Sequence, residues 1–286
     1  MHDHDQGLAH DLEALTAAMQ RRRRTLRWLV GAGALPAAGA LSLLGCGGSS
    51  DDTTSTSDGG TDSGTPDTGT ASCSIIPEET AGPFPGDGSN NSSSGLANAL
   101  ALTGIVRSDI RSSIAGATGT AEGVLLTVKL NLVNTASSCA DLSGYAIYIW
   151  HCDRDGLYSM YNAGVTDENY LRGVQETDSS GVATFTTIYP GCYLGRMPHI
   201  HFEVYRSTNT ATSFSNKLKT SQLAFPNDVS TTVYNTAGYE SSLSNFGRIS
   251  FATDNVFSDG VTLQTTTVTG SVSEGFVATL TVGISG

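Results

Sequence analysis

The sequence has few basic residues. Lysine and arginine together number 15 against 27 acidic residues, which gives a formal net charge of -12. Five of the arginines lie in one N-terminal cluster within residues 21–27. The rest of the chain therefore carries no basic stripe that could bind phosphates, and we expect no nucleic-acid partner.

Long amphipathic helical patterns are missing beyond residue 46, and short alternating runs take their place. Within residues 124–132, Leu126, Val128, Leu130 and Leu132 alternate with Thr127, Lys129 and Asn131, which is typical of a half-buried strand. Similar runs occur at 145–150, 182–188, 199–205, 217–224, 248–252, 261–268 and 276–284. This pattern predicts an all-β domain, either an antiparallel β-sandwich or a barrel.

Residues 21–46 have the order of a secretory signal, with a basic cluster, a weakly apolar stretch, and small residues before Cys46. RRTLR at 23–27 resembles a twin-arginine export signal, and LLGC at 43–46 resembles a lipobox whose cysteine becomes lipidated. The alternative is an uncleaved transmembrane anchor, but the apolar run of about 17 residues is shorter than the roughly 20 that span a bilayer. We therefore expect an exported protein, anchored to the cell envelope on its periplasmic or outer-surface face, that touches the membrane only through lipidated Cys46.

The next segment, 47–72, lacks any large apolar side chain. Such a segment cannot bury enough surface to offset its chain entropy, so it predicts a flexible linker. The chain is thus divided into a signal segment at 1–46, a linker at 47–72 and a globular domain at 73–286.

Four cysteines belong to the globular domain: Cys73, Cys139, Cys152 and Cys192. An even number in an exported domain predicts disulfides, with three possible pairings between which the sequence does not choose. A soft-metal site is the competing interpretation, but no two of these cysteines have the short spacing of a zinc knuckle.

Histidine is also scarce, and only His151, His199 and His201 follow the signal segment. Positions i and i+2 of a strand face the same side, so His199 and His201 are expected to project together. A strand can present a pair of metal ligands in this way. A buried pair satisfied by hydrogen bonds is the alternative.

Several ordered motifs resemble the intradiol ring-cleavage dioxygenases, and more closely their exported single-chain relatives. These motifs are CSIIPEETAGPF at 73–84, IWHCDRDGLYS at 149–159, LRGVQETDSSGVATFTTIYPGCY at 171–193, GRMPHIHFEV at 195–204 and TSQLAFPND at 220–228. The resemblance implies a β-sandwich that uses non-haem Fe(3+) and O2 to cleave catechol-type aromatic diols to muconate-type dicarboxylic acids.

On the matching positions, the resemblance implies that Tyr158, Tyr193, His199 and His201 bind the iron. Ferric iron favours anionic oxygen ligands with imidazole as a neutral complement, and coordination lowers the pKa of a phenol. Tyr193 would also leave the metal and take a proton when the diol binds.

Further roles follow from the same resemblance. Arg196 would stabilise negative charge on the substrate ring, as a fixed cation in a dry cavity can. Gln222 would line the cavity in a supporting role. Arg172 could contact an acidic substituent of the substrate or make a structural salt bridge. His151 and Asp153 are expected to support the site or the fold.

Two departures from the soluble catabolic enzymes carry predictions. Only five residues, 194–198, separate Tyr193 from His199, and this short loop predicts an open site that accepts bulkier catechols. No N-terminal helical dimerisation domain is recognisable, which favours a monomer or loose oligomer.

Two alternatives to this enzyme remain open. One is a non-catalytic surface binding module built on the same sandwich, and the other is a zinc or copper site. The complete set of two tyrosines and two histidines argues against both.

Overall fold

The computed structural model describes residues 73–286. Its strands are β1 (Asp87–Ser92), β2 (Gly95–Asn98), β3 (Leu125–Asn134), β4 (Ala140–Asp141), β5 (Ala146–Trp150), β6 (Arg172–Glu176), β7 (Val182–Ile188), β8 (His199–Tyr205), β9 (Lys217–Ala224), β10 (Thr267–Ser271) and β11 (Gly275–Ile284). Its helices are α1 (Asn227–Tyr234) and α2 (Glu240–Phe246), with 3-10 turns at Ala99–Ala101, Phe214–Asn216 and Phe257–Asp259. The predicted all-β fold class is confirmed.

Two sheets form a sandwich. One has the order β10-β11-β3-β4, with β7 also paired to β3, and the other has the order β6-β5-β8-β9. Neighbouring strands pair antiparallel except β3 and β11, which run parallel in register from Leu126–Phe276 to Asn134–Ile284. The purely antiparallel expectation therefore needs this one correction. Strands so far apart in sequence are not constrained by a tight hairpin, so either direction is open to them.

The main core lies between the sheets. Alternate residues of β3, namely Leu126, Val128, Leu130 and Leu132, are fully buried and pack with Ile149 of β5 and other apolar side chains. Burial of such a side chain contributes about 1.5–3 kcal/mol each. The alternation predicted for this strand is confirmed, and the strand continues two residues beyond its predicted end.

Two predicted strands are wrong. Residues 248–252 are irregular, and 261–268 contains only the first two residues of β10. In both segments the backbone bonds locally: Asp254 donates its N–H to the carbonyl of Ser250, and Thr265 donates to Val261. Residues 264–266 also form a single parallel bridge to Ala224 of β9, but the turn closed by Val261 prevents this pairing from extending into a strand.

Residues 73–124, which precede β3, form a covering segment over the outer face of the β6-β5-β8-β9 sheet. Glu79 donates its N–H to Thr220 on β9, and Val174 on β6 donates to Ile105, whereas the start of the segment is held by the opposite sheet, where Ile76 donates to Gly283 on β11. A second apolar cluster lies under this cover and includes Tyr148, Trp150 and Tyr158. Both faces of this sheet are therefore buried.

The cysteines form one disulfide, between Cys73 and Cys139, which ties the start of the covering segment to the turn after β3. Cys152 and Cys192 are buried thiols, so the expectation of disulfides holds for one pair and is wrong for the other. Their sulfurs donate to separate backbone carbonyls, of Gly191 and Arg196. Burial raises the pKa of Cys192 to about 12, so this thiol stays protonated and packs as a small apolar group.

Within residues 73–286, no helix is long and apolar enough to cross a membrane. The predicted signal segment, lipobox and linker lie outside the described residues.

Candidate metal centre

The two histidines of β8 project together on the outer face of their sheet, as their spacing predicts. Their Nε2 atoms lie 3.1 Å apart, and both side chains are 2% exposed. The indole of Trp150, from neighbouring β5, stacks on the His201 ring with 4.9 Å between ring centroids. The sheet register thus fixes the position of this imidazole.

The protonation of His199 follows from its partners. Its Nδ1 lies 2.6 Å from the carbonyl oxygen of Met197, which can only accept a hydrogen bond, so Nδ1 carries the proton and Nε2 keeps a lone pair. Burial, and then the nearby charge of Arg196, lower the pKa of both His199 and His201 well below the ordinary value. Both imidazoles are neutral, which is the form that binds a metal.

Tyr158 belongs to an irregular loop that follows β5. The carboxylate of Asp153 accepts N–H bonds from Asp155 and Leu157, at 3.0 and 2.9 Å, and so folds the loop back on itself. Tyr158 then donates its own N–H to Asn162 at 2.7 Å. These bonds place its hydroxyl 3.4 Å from Nε2 of His199 in a buried position.

Tyr193 lies in a second irregular segment, before β8. This segment is held by α2: Ser242 accepts the N–H of Cys192 at 2.9 Å, and Asn245 donates to the Cys192 carbonyl at 2.9 Å. Gly191 is required nearby, since a Cβ there would lie 2.5 Å from the Asp153 carbonyl oxygen. The half-buried Tyr193 hydroxyl lies 3.3 Å from Nε2 of His199.

The structure therefore brings together all four predicted ligands, Tyr158, Tyr193, His199 and His201, around one point. Burial, and then the charge of Tyr193, raise the pKa of Tyr158 well above its ordinary value. A buried phenolate needs a cation beside it, and two phenolates with two neutral imidazoles suit a hard trivalent ion. Within the described part of the chain, no three His, Cys, Asp or Glu side chains could hold a metal ion. The group of four converging side chains can hold a metal ion only because two of its members are tyrosines.

Arg196 lies at the edge of this set. Its Nη1 is 3.5 Å from Nε2 of His199, and Nη2 donates to Oε1 of Gln222 at 2.6 Å. Burial disfavours the charged guanidinium, but Tyr193 and Asp254 outweigh that effect and raise the pKa of Arg196. A permanent positive charge thus faces the point where the four donors meet.

Gln222 is fully buried, and both ends of its amide are engaged. It accepts from Arg196, and its Nε2 donates to the Thr80 carbonyl at 2.9 Å. The structure therefore places Gln222 between the covering segment and the arginine.

The remaining residues named from the sequence have structural partners. The guanidinium of Arg172 donates to neutral oxygens, including the carbonyls of Phe84 and Pro85, and it makes no salt bridge within residues 73–286. His151 lies near the carbonyl of Cys152 and the hydroxyl of Thr187, at 2.8 and 2.7 Å. Both of its ring nitrogens are thereby occupied.

Comparisons with known proteins find similar chains. The family model described as Dioxygenase matches residues 108–237. An intradiol ring-cleavage dioxygenase from Tetranychus urticae has a solved structure with 26% identity and a TM-score of 0.56, covering 74% of this chain and 95% of that chain. A second solved dioxygenase is 25% identical with a TM-score of 0.54, covering 74% and 94%. No curated protein matches.

The family model and these solved structures support the intradiol ring-cleavage dioxygenase family for this chain. It is accordingly an oxidoreductase of the ring-cleaving dioxygenase type. The resemblance found in the sequence motifs is confirmed.

Several residues that shape this dioxygenase site have no signal in the sequence. Asp254 is fully buried against Arg196, and Ser242 and Asn245 hold the segment that carries Tyr193. None of the three lies in a segment for which the sequence pattern predicts a strand. Trp150 could have been found, because the strand pattern places it on the face opposite Ile149.

Proposed function

We propose that this dioxygenase uses non-haem Fe(3+) to cleave catechol-type diols with O2 between the hydroxyl-bearing carbons, giving muconate-type dicarboxylic acids. The observation that carries the proposal is the convergence of two phenol oxygens and one imidazole nitrogen within 3.4 Å of Nε2 of His199. The match to the family model and the similar solved dioxygenases support the general reaction.

The donor set suits ferric iron better than zinc or copper. Two phenolates supply hard anionic oxygen, and the two imidazoles remain neutral because they are buried. A ferric ion bound there would act as a Lewis acid towards the diol and as a template for both reactants.

The two tyrosines have different surroundings, and we assign them different tasks. Tyr158 is 1% exposed and enclosed by the covering segment, where the Phe84 ring lies 5.0 Å from its own. Tyr193 is half-buried on a short loop. We therefore assign the proton transfer to Tyr193, whose phenolate would accept a proton from the incoming diol while Tyr158 stays in place.

Arg196 would act on the ring itself. Arg196 is 6% exposed, and its guanidinium faces the donors with Nη1. In such a dry site a fixed cation stabilises negative charge developing on the substrate more than it would in water, and it needs no reorganisation to do so. Gln222 supports this role through its bond to Nη2.

A visible absorption spectrum of purified, iron-loaded protein tests the proposal. Tyrosinate-to-iron charge transfer should give a red-brown band that shifts when a catechol is added without oxygen, and ring-opened product should form in air. Tyr158→Phe should weaken the band and lower turnover by at least about 100-fold, since even outer partners of metal ligands are worth 10- to 100-fold. Tyr158→Phe with Tyr193→Phe should be colourless.

Tyr189→Phe is the matched control. Tyr189 is equally buried, but its hydroxyl bonds Ser230 on the far side of the sheet. This variant should keep both the band and the turnover. Iron-loaded protein without a band, or full activity with zinc in place of iron, would refute the proposal.

We also propose that the protein is exported and lipid-anchored through Cys46, as the order of residues 21–46 suggests. Intact-mass analysis of membrane fractions should find a diacylated Cys46 as the first residue. An unprocessed Met1 would contradict this.

The short segment 194–198 supports a further proposal, that bulky catechols are accepted. Leu194 on this segment is 47% exposed. Steady-state rates on catechol, protocatechuate and larger lignin-derived catechols test it, and a strict preference for the smallest would refute it. A monomer or loose oligomer remains our expectation for assembly, which sedimentation would measure.

A further inference from the structure

Asp254 is a fully buried carboxylate 58 residues along the chain from Arg196. Both of its oxygens lie within hydrogen-bond distance of Nε of Arg196, at 3.2 and 3.1 Å. Oδ2 also accepts the N–H of Met197 at 2.6 Å, and Oδ1 accepts those of Val256 and Phe257 at 2.8 and 3.1 Å. Its acceptor capacity is thus filled by one cation and three backbone donors.

These bonds connect Asp254 to three parts of the metal centre. Through Met197 it restrains the carbonyl that fixes the tautomer of His199. Through Phe257 it places an aromatic ring 5.7 Å from the guanidinium carbon of Arg196. Through Nε it restrains the arginine directly.

The geometry of the ion pair distinguishes it from an ordinary salt bridge. An arginine and a carboxylate often pair through two parallel N–H bonds, which uses two nitrogens of the guanidinium fork. Here Asp254 takes only Nε, and Gln222 takes Nη2. Nη1 is left directed at the point near His199 where the four donors meet.

We propose that Asp254 is a positioning residue that, together with Gln222, holds Arg196 with Nη1 turned towards the substrate ring. This inference rests on the proposed function, in which Arg196 stabilises charge on that ring. Asp254 itself touches neither substrate nor metal. Its effect on the substrate ring is exerted through the arginine, whereas any effect through Met197 on His199 would appear as a change in the resting iron band.

A double-mutant cycle tests the inference on iron-loaded protein. Asp254→Asn should retain iron and the resting band, because Asp254 is not one of the four donors, while kcat falls roughly 10- to 100-fold, as for other outer partners of a metal site. Arg196→Met should show at least the same loss. Because Asp254 acts through Arg196, adding Asp254→Asn to Arg196→Met should lower kcat no further.

A readout that needs no metal accompanies the cycle. In metal-free protein, nitrogen-15 NMR should show a slowly exchanging Nε–H of Arg196, and this protection should be lost in Asp254→Asn. Glu203→Gln is the control, since Glu203 is also fully buried and paired with a cation, Lys217, at 3.0 Å. It should preserve both the Arg196 signal and kcat.

The inference is overturned if the two losses multiply, or if Asp254→Asn leaves kcat unchanged. Failure of the proposed function would be seen earlier, as wild-type protein without an iron band or turnover. If Asp254→Asn does not fold, Gln222→Met probes the same restraint from the other side. Its loss must likewise disappear when Arg196 is already methionine.

Discussion

The two faces of the β6-β5-β8-β9 sheet are both buried, but they have opposite chemistry. Between the sheets, Ile200 and Phe202 of β8 pack in an apolar core. On the outer face, His199, His201 and Glu203 of the same strand are polar and at most 2% exposed. Alternation along β8 therefore places apolar side chains on the inner face and buried polar side chains, including both histidines, on the outer face. In most antiparallel sheets the polar face is instead exposed to solvent.

The histidines repeat the comparison with one residue type. His151 follows β5 and continues the alternation of Ile147 and Ile149, so it faces the space between the sheets. Its Nε2 lies 2.7 Å from the hydroxyl of Thr187 on β7 of the opposite sheet. On the outer face, Nε2 of His199 and Nε2 of His201 face each other at 3.1 Å. A histidine between the sheets is satisfied by the protein, whereas the outer pair leaves nitrogens available to a cation.

The largest effects should come from adjacent substitutions on the two faces. Phe202→Ala should lower the free energy of unfolding by about 3–5 kcal/mol through the cavity it leaves, yet retain iron in the folded protein. His201→Leu should change the stability of metal-free protein by about 1.5 kcal/mol or less and abolish iron retention. Denaturant unfolding and metal analysis measure both quantities. The distinction between the two faces would be wrong if folded Phe202→Ala protein does not retain iron, or if His201→Leu protein does retain it.

A smaller effect should follow from pH at the inner histidine. Burial lowers the pKa of His151 from 6.5 to about 4. Below pH 6.5, His151 binds a proton in the unfolded chain but stays neutral in the folded chain. Its contribution to the free energy of unfolding is therefore fully present above pH 6.5 and is lost as the pH falls to about 4.

The expected size of that loss is on the order of 3 kcal/mol, at 1.36 kcal/mol per pKa unit. His151→Gln removes the titrating group. In metal-free protein, the variant should therefore lose about 3 kcal/mol less unfolding free energy than wild type between pH 6.5 and about 4. Urea unfolding at several pH values measures the slope. Equal slopes for wild type and variant would show that His151 is protonated in the folded state.

The strands that carry the site could be predicted from local pattern. The predicted bounds of β7, β8 and β9 coincide with those observed. β7 and β8 are runs rich in β-branched or aromatic residues, whereas β9 is a mixed polar and apolar run that ends shortly before Pro226. The spacing of His199 and His201 then suffices to place them on one face. Tyr158 and Tyr193 could be named only through the family resemblance, since both lie in irregular segments.

What could not be predicted depends on partners distant in sequence. β6 reads as polar because it begins with Arg172, which is fully buried only because the carbonyls of Phe84 and Pro85 accept its N–H groups. Asp254 is similar, as no spacing rule connects it to Arg196. Local periodicity reports which face is apolar, but it does not report which polar groups will find buried partners.

The smallest expected effect concerns the segment that covers the outer face. Gly82 has a φ of +68°, and a Cβ there would lie 3.3 Å from Cε1 of His201. Gly82→Ala should cost roughly 1–2 kcal/mol for the left-handed backbone and should also displace the imidazole. Gly144 is the matched control, because its φ is +78° and nothing lies within 4 Å of an added Cβ.

The two alanine variants should therefore lose similar stability but differ in iron retention. Release of iron to a chelator should be faster in Gly82→Ala and unchanged in Gly144→Ala, since only the former presses on a ligand. Equal release rates would mean that the covering segment only shelters the outer face. A difference would mean that the same segment also sets the position of His201, so the chemistry of this face depends on its cover as well as on its strand.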